Sequence, residues 1–166
     1  MTAQIPETLL YEGERLSMCS EPLADFFAFG GVNPGFQAPS TSLWRGYVGE
    51  WEIIEGRLYL IGLNGTLKDG SRATLATLFP DFPHRVFAHW YSGTIRVPQG
   101  MMLKYVHMAY ASTYERDFLL TIEMGVLTNT EVRHNGRSES PSGPKGYQLA
   151  AVTTFPQHEK SSEVGP

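Results

Sequence analysis

The chain has 166 residues, 13 Lys and Arg against 17 Asp and Glu, a formal charge of -4 and 42% hydrophobic residues. A chain of about 150 residues buries roughly two-thirds of its unfolded surface, so one domain holds together without disulfide or metal. The lone Cys19 excludes an intrachain disulfide and a cysteine zinc site, and no run approaches the ~18 apolar residues of a membrane span.

In chain order, Leu9-Leu10-Tyr11 and Leu16-Ser17-Met18 flank Gly13 and predict a small hairpin. Ser20-Glu21-Pro22 offers an N-cap with Pro in the first turn, Leu23, Phe26 and Phe27 recur at helical spacing, and Gly30-Gly31 ends a short helix. The Asn33-Pro34-Gly35 and Ala38-Pro39-Ser40 stretches mark a loop. Residues 42–54, rich in aromatic and β-branched side chains, predict a strand that Glu55-Gly56 turns into a second one at 57–63. Regular extension would place Arg45, Tyr47, Trp51 and Ile53 on one face and Trp44, Val48, Glu50 and Glu52 on the other, with Gly46 and Gly49 as sites for a bulge.

Asn64-Gly65 and Asp69-Gly70 are turn dipeptides, and 73–79 predicts a short helix stopped by Pro80. Residues 85–91 and 94–97 predict a hairpin across Ser92-Gly93, closed off by Pro98 and Gly100. Strand patterns follow at 101–110, 117–123 and 126–133, with Met124-Gly125 as the last tight turn. The expected fold is α+β and β-rich: a single antiparallel meander sheet or partly open barrel with two short helices. Residues 1–133 read as one globular domain and 134–166 as a polar Pro/Gly/Ser-rich extension, with one edge strand expected at 147–155.

The first residues lack the basic start and apolar core of a secretion signal, which makes the cytoplasm the expected compartment. With a pI near 5.7 and basic residues scattered singly, nucleic acid is not expected as a ligand; a basic protein surface suits the chain better. Oligomeric state is not legible. Phosphate-loop, dinucleotide, zinc-protease and hydrolase motifs are all absent, and no cofactor or metal is implied.

The remaining chemistry lies in single residues. Cys19, ahead of the predicted helix, reads as a small buried hydrophobe, although a helix dipole would favour its thiolate. His107, among Leu103, Tyr105 and Tyr110, reads as a hydrogen-bonded strand residue. Glu50 and Glu52 stand about 7 Å apart on one strand face, within the range that glycosidases use, yet solvated strand faces routinely carry such pairs. Glu115-Arg116-Asp117 reads as a solvent-facing strand entry.

Aromatic residues crowd the middle of the chain and carry the functional expectation, because Trp and Tyr anchor protein interfaces and acidic residues interleave with them here. The segments 44–53, 57–60, 91–100 and 105–110 resemble those of a family of small uncharacterised bacterial cytosolic proteins, over about residues 9–133. Such proteins are similar to the immunity partners of polymorphic toxins. The resemblance implies a non-enzymatic inhibitor that occludes a cognate toxin's active site, and it carries over no catalytic residue. The face expected to meet a partner comprises Trp44, Tyr47, Glu50, Glu52, Tyr110 and Tyr114. The alternative is a small enzyme or small-molecule-binding barrel, with Arg45, Trp51 and His107 lining a pocket beside a carboxylate.

Overall fold

The computed structural model describes residues 2–137. Nine strands form one mixed sheet. Strand β1 (Glu7–Tyr11) turns through Glu12-Gly13 into β2 (Glu14–Met18), and helix α1 (Pro22–Ala28) follows. A 3-10 turn at Thr41–Leu43 leads into β3 (Tyr47–Ile54), and Glu55-Gly56 reverses the chain into β4 (Arg57–Thr66). Short β5 (Arg72–Ala73), α2 (Leu75–Leu78) and β6 (Val86–Phe87) precede three long strands, β7 (Gly93–Lys104), β8 (Thr113–Glu123) and β9 (Val126–His134). Neighbours run β2-β1-β3-β4-β9-β8-β7, with β5 and β6 also paired to β4.

The two-residue turns follow directly from sequence. Glu12, Glu55 and Met124 have φ of 51°, 50° and 49°, and the glycine after each has φ of 80°, 77° and 83°. Positive φ at both central positions is the twist that a two-residue hairpin needs, and glycine adopts it without steric cost.

The β-rich class and the two helices agree with expectation, but the meander does not hold throughout. β1 pairs with β3 in parallel, Thr8 opposite Glu50 and Leu10 opposite Glu52. Period-two alternation specifies a strand and its faces but not the direction of its neighbour. Nor does the sheet close into a barrel. Its end strands, β2 and β7, approach where the Cys19 N–H donates to the Arg96 carbonyl at 2.8 Å.

Several local expectations are corrected. Residues 42–45 lie in and after the 3-10 turn, and Gly46, at φ 83°, immediately precedes the strand instead of bulging it. The bulge sits on the partner, where Glu50 pairs with Gly62 and Trp51 with Leu60, leaving Ile61 extra. Asn64-Gly65 lies inside β4, where a Cβ on Gly65 would come within 2.8 Å of the Gly46 carbonyl oxygen. The 85–97 hairpin is absent: β6 joins β4, and β7 runs through Pro98 to Lys104. Proline is tolerated because β7 pairs with β8 alone. Residues 105–112 form a loop, not strand. Glu21, not Ser20, stands at the N-cap position of α1, and its side chain makes no capping hydrogen bond. The edge strand expected at 147–155 lies outside the described residues.

The core follows the alternation of β3, where Tyr47, Gly49, Trp51 and Ile53 are buried. Leu9, Leu58, Leu60, Ile95, Val97, Leu120 and Ile122 join Trp51 there. Each such side chain contributes about 1.5–3 kcal/mol through burial. Helix α1 packs Phe26 against Phe79 and Trp90 at ring separations of 5.0 and 4.9 Å, and the Trp90 indole N–H donates to the Pro22 carbonyl at 2.8 Å. Among the described residues no helix is long and apolar enough to cross a membrane.

Candidate functional site

Glu7 opens β1, and alternation with Leu9 directs its carboxylate into the core. The parallel register sets it beside Gly49, where a Cβ would lie 2.5 Å from Glu7 Oε1 and 2.7 Å from Trp51 Nε1. Glycine is therefore required for the carboxylate to enter. Glu7 Oε1 accepts from the Trp51 indole N–H at 2.9 Å, while Oε2 accepts from the Gly49 N–H at 2.8 Å and from Arg45 Nε and Nη2 at 3.2 and 2.9 Å. Burial pushes the Glu7 carboxyl above its ordinary value, against the Arg45 charge and these four donors. Arg45 Nη2 also donates to the Ile5 carbonyl, and Nη1 lies 3.6 Å from Glu21 Oε2. The Tyr110 hydroxyl donates to that same Glu21 oxygen at 2.5 Å.

A second network lies at the foot of β8. Asp117 Oδ1 accepts from Arg96 Nε at 2.8 Å, and Oδ2 accepts from Arg133 Nη2 and Asn135 Nδ2, both at 3.0 Å. Arg96 also donates from Nη1 and Nη2 to the Tyr110 and Ser112 carbonyls at 2.7 and 2.8 Å, fixing the 105–112 loop to β7. Burial pushes the Asp117 carboxyl up, but its hydrogen bonds and the Arg96 charge outweigh burial and hold it below the ordinary carboxylate value. The Glu115-Arg116-Asp117 stretch thus contains a buried anchor, not simply a solvated strand entry.

Between the networks opens a cavity of about 310 Å³, bounded by the N-terminal segment, the end of β2, the middle of β7 and the 105–112 loop. Ala3, Ile5, Pro6, Pro98 and Ala109 supply apolar wall; Ser17, Cys19, Arg96, Tyr110 and Tyr114 supply polar groups. Burial pushes the Cys19 thiol up to about 11, so the residue stays a thiol near neutral pH and the helix after it does not activate it. Burial likewise raises the Tyr110 and Tyr114 phenols. The wall therefore offers hydrogen-bond donors and apolar surface, with no lining side chain poised to take a proton near neutral pH.

The residues expected to form one partner face are divided by the fold. Tyr47 and Tyr114 are buried at 3% and 9% exposure, Glu50 and Glu52 lie on the outer face of β3, and Trp44 is 69% exposed beyond the strand. Tyr110 is half-buried, with its hydroxyl tied to Glu21. The alternative pocket trio is likewise not assembled. Arg45 and Trp51 meet on Glu7, whereas His107 is exposed and shares a 2.5 Å hydrogen bond with the Tyr105 hydroxyl.

Sequence reasoning passed over Glu7 and Arg96 and placed Asp117 at a solvent-facing strand entry, whereas it is buried. A usable signal existed for Glu7, which is in phase with Leu9 on the core face. Asp117 gave none, because burial along β8 falls on Tyr114, Asp117, Leu120 and Ile122, which is not a period of two. Among the described residues no group of three or more His, Cys, Asp or Glu could hold a metal ion.

No family model, curated protein or solved structure matches the chain.

Proposed function

We propose that the chain is a non-enzymatic binding protein and that the cavity between the Glu7 and Asp117 networks receives a small, largely apolar ligand. The observation that carries this reading is the cavity wall, in which donors and apolar surface converge while its thiol and phenols remain protonated near neutral pH. Arg45 and Arg96, each held by several partners, preorganise the segments around it and limit the entropy cost of binding. A fragment screen followed by backbone amide chemical shifts tests the reading. Shifts gathered on Ser17, Cys19, Ala109 and Ser112 are expected; shifts confined to the outer face of β3, or none, would overturn it.

A protein partner is the second reading, favoured by exposed apolar residues at the same end. Trp44, Met108 and Ile5 are 69%, 54% and 42% exposed, and their segments are stitched together. The Gln4 N–H donates to the Ala109 carbonyl, the Ile5 N–H to the Ser42 carbonyl and the Trp44 N–H to the Gln4 side-chain oxygen Oε1. An exposed Trp beside a pocket is the composition of an interface hot spot. In its concrete form the partner is a cognate bacterial toxin with a basic surface, and the chain is an immunity-type inhibitor that occludes its active site. Trp44→Ala should weaken a partner captured from native cells at least about tenfold. Unchanged capture would remove this end from the interface.

A further inference from the structure

We propose that the cavity recognises a small monocarboxylate, its carboxylate held by Arg96 with the Tyr114 and Ser17 hydroxyls and its apolar body against Ile5, Pro98 and Ala109. The proposal rests on the cavity being the ligand site.

Charge points to an anion. Arg96 is the sole charged residue in the lining, while Asp117, Glu7 and Glu21 lie outside it and accept hydrogen bonds from their own donors. Within the Asp117 network two guanidinium groups, Arg96 and Arg133, face one carboxylate, whereas in the Glu7 network Arg45 faces two, so the positive surplus is local to the Arg96 side of the cavity. A guanidinium has five N–H groups; Arg96 directs three to Asp117, Tyr110 and Ser112, so two remain. Its side chain retains 22% exposure despite these bonds.

Neutral donors stand ready as well. Among the described residues neither the Tyr114 nor the Ser17 hydroxyl has a hydrogen-bond partner, although both residues line the cavity. Two hydroxyl donors and a guanidinium complement the four lone-pair sites of a carboxylate, whereas the ammonium of a primary amine would meet the Arg96 guanidinium as a like charge. At about 310 Å³ the cavity is at the small end of ligand pockets, which span roughly 300–1,000 Å³, so the ligand is a small acid.

Calorimetric titration of the full chain with octanoate, phenylacetate and indole-3-acetate, each beside its own carboxamide, tests the proposal. At least one acid should bind about tenfold or more tightly than its amide, the contribution of a charge-assisted hydrogen bond. Tyr114→Phe should weaken the acid more than the amide, whose single carbonyl oxygen takes the weaker hydrogen bond, and Arg96→Gln should narrow the acid–amide difference further. Because Arg96 also secures the 105–112 loop, the Tyr114 variant and the acid–amide comparison carry the test if the Arg96 variant unfolds. Equal binding of acid and amide would overturn the carboxylate assignment while sparing the cavity as a ligand site. Binding of none of the six would overturn both.

Discussion

Glu7 and Asp117 are both buried carboxylates gripped by arginine, and both join segments distant in sequence. At Glu7 one guanidinium, Arg45, faces two carboxylates, since Glu21 lies 3.6 Å away, and the Arg45 side chain is only 9% exposed. At Asp117 two guanidinium groups face one carboxylate, and Arg133 is 57% exposed. Burial prevails in the first and raises the carboxyl; the donors and the Arg96 charge prevail in the second and lower it. The ratio of cations to carboxylates, together with the access of water to the cation, separates the two sites more clearly than their similar numbers of hydrogen bonds.

The largest expected effect comes from breaking the sealed pair. Arg45→Met should cost about 3–5 kcal/mol in urea unfolding, because Glu7 is left buried without its counter-charge and must stay unpaired or take up a proton. Adding Glu7→Gln should recover most of that loss, since the amide oxygen still accepts from Trp51 or Gly49 and no charge remains. A double variant as unstable as the single one would show that shape, not charge, limits the site.

Asp117→Asn should cost less, about 1.5–3 kcal/mol, because solvent reaches Arg133. Its pH signature is diagnostic. A carboxyl lowered by folding contributes stability above its unfolded value, near 3.9 for Asp, and that contribution is lost as pH falls through the folded value. Glu7 works in the opposite direction: its raised carboxyl contributes at pH below the unfolded value, near 4.3, and the contribution is lost as pH rises through the folded value. Melting temperatures followed below about pH 4 should therefore fall less steeply in Asp117→Asn than in the parent. Parallel curves would remove Asp117 as a source of acid sensitivity.

Trp51→Phe, which deletes one donor to Glu7 and part of a ring, should cost about 1–2 kcal/mol by the same unfolding measurement. The smallest effect is expected on the outer face, where Arg15 and Glu50 are 3.9 Å apart and the side chains are 65% and 42% exposed. Reversing Glu50 and Glu52 to Lys should change stability by less than about 0.5 kcal/mol. Loss of partner capture in that variant would move the interface from the Trp44 end to the outer face of β3.

Much of the architecture is legible in the sequence because it is local. The three glycine turns need only two residues each, and the alternation of Tyr47, Trp51 and Ile53 identifies the core face of β3. What is illegible is long-range. Nothing in the sequence around Leu9 or Glu50 specifies a parallel pairing, and Gly49, which resembles a bulge signal, is the space through which Glu7 reaches Trp51. The aromatic-rich middle suggested an interface because composition cannot distinguish a core Tyr47 from an exposed Trp44; three positions of chain separate 3% from 69% exposure. The cavity escaped notice for the same reason, since its walls come from segments around residues 5, 17, 98 and 110.

The parallel pairing also bears on when the fold is completed. Two-residue hairpins close in about 1–10 μs, whereas Glu7 must meet Gly49 across 42 residues, which requires a much larger loop to be closed before any contact rewards it. Contacts made after the folding barrier, when lost, speed escape from the native state and leave the approach to it unchanged. Stopped-flow measurements on Arg45→Met should accordingly find faster unfolding with nearly unchanged refolding. The carboxylate at the start of β1 then acts as a latch that governs the lifetime of the folded chain, not the speed with which it forms.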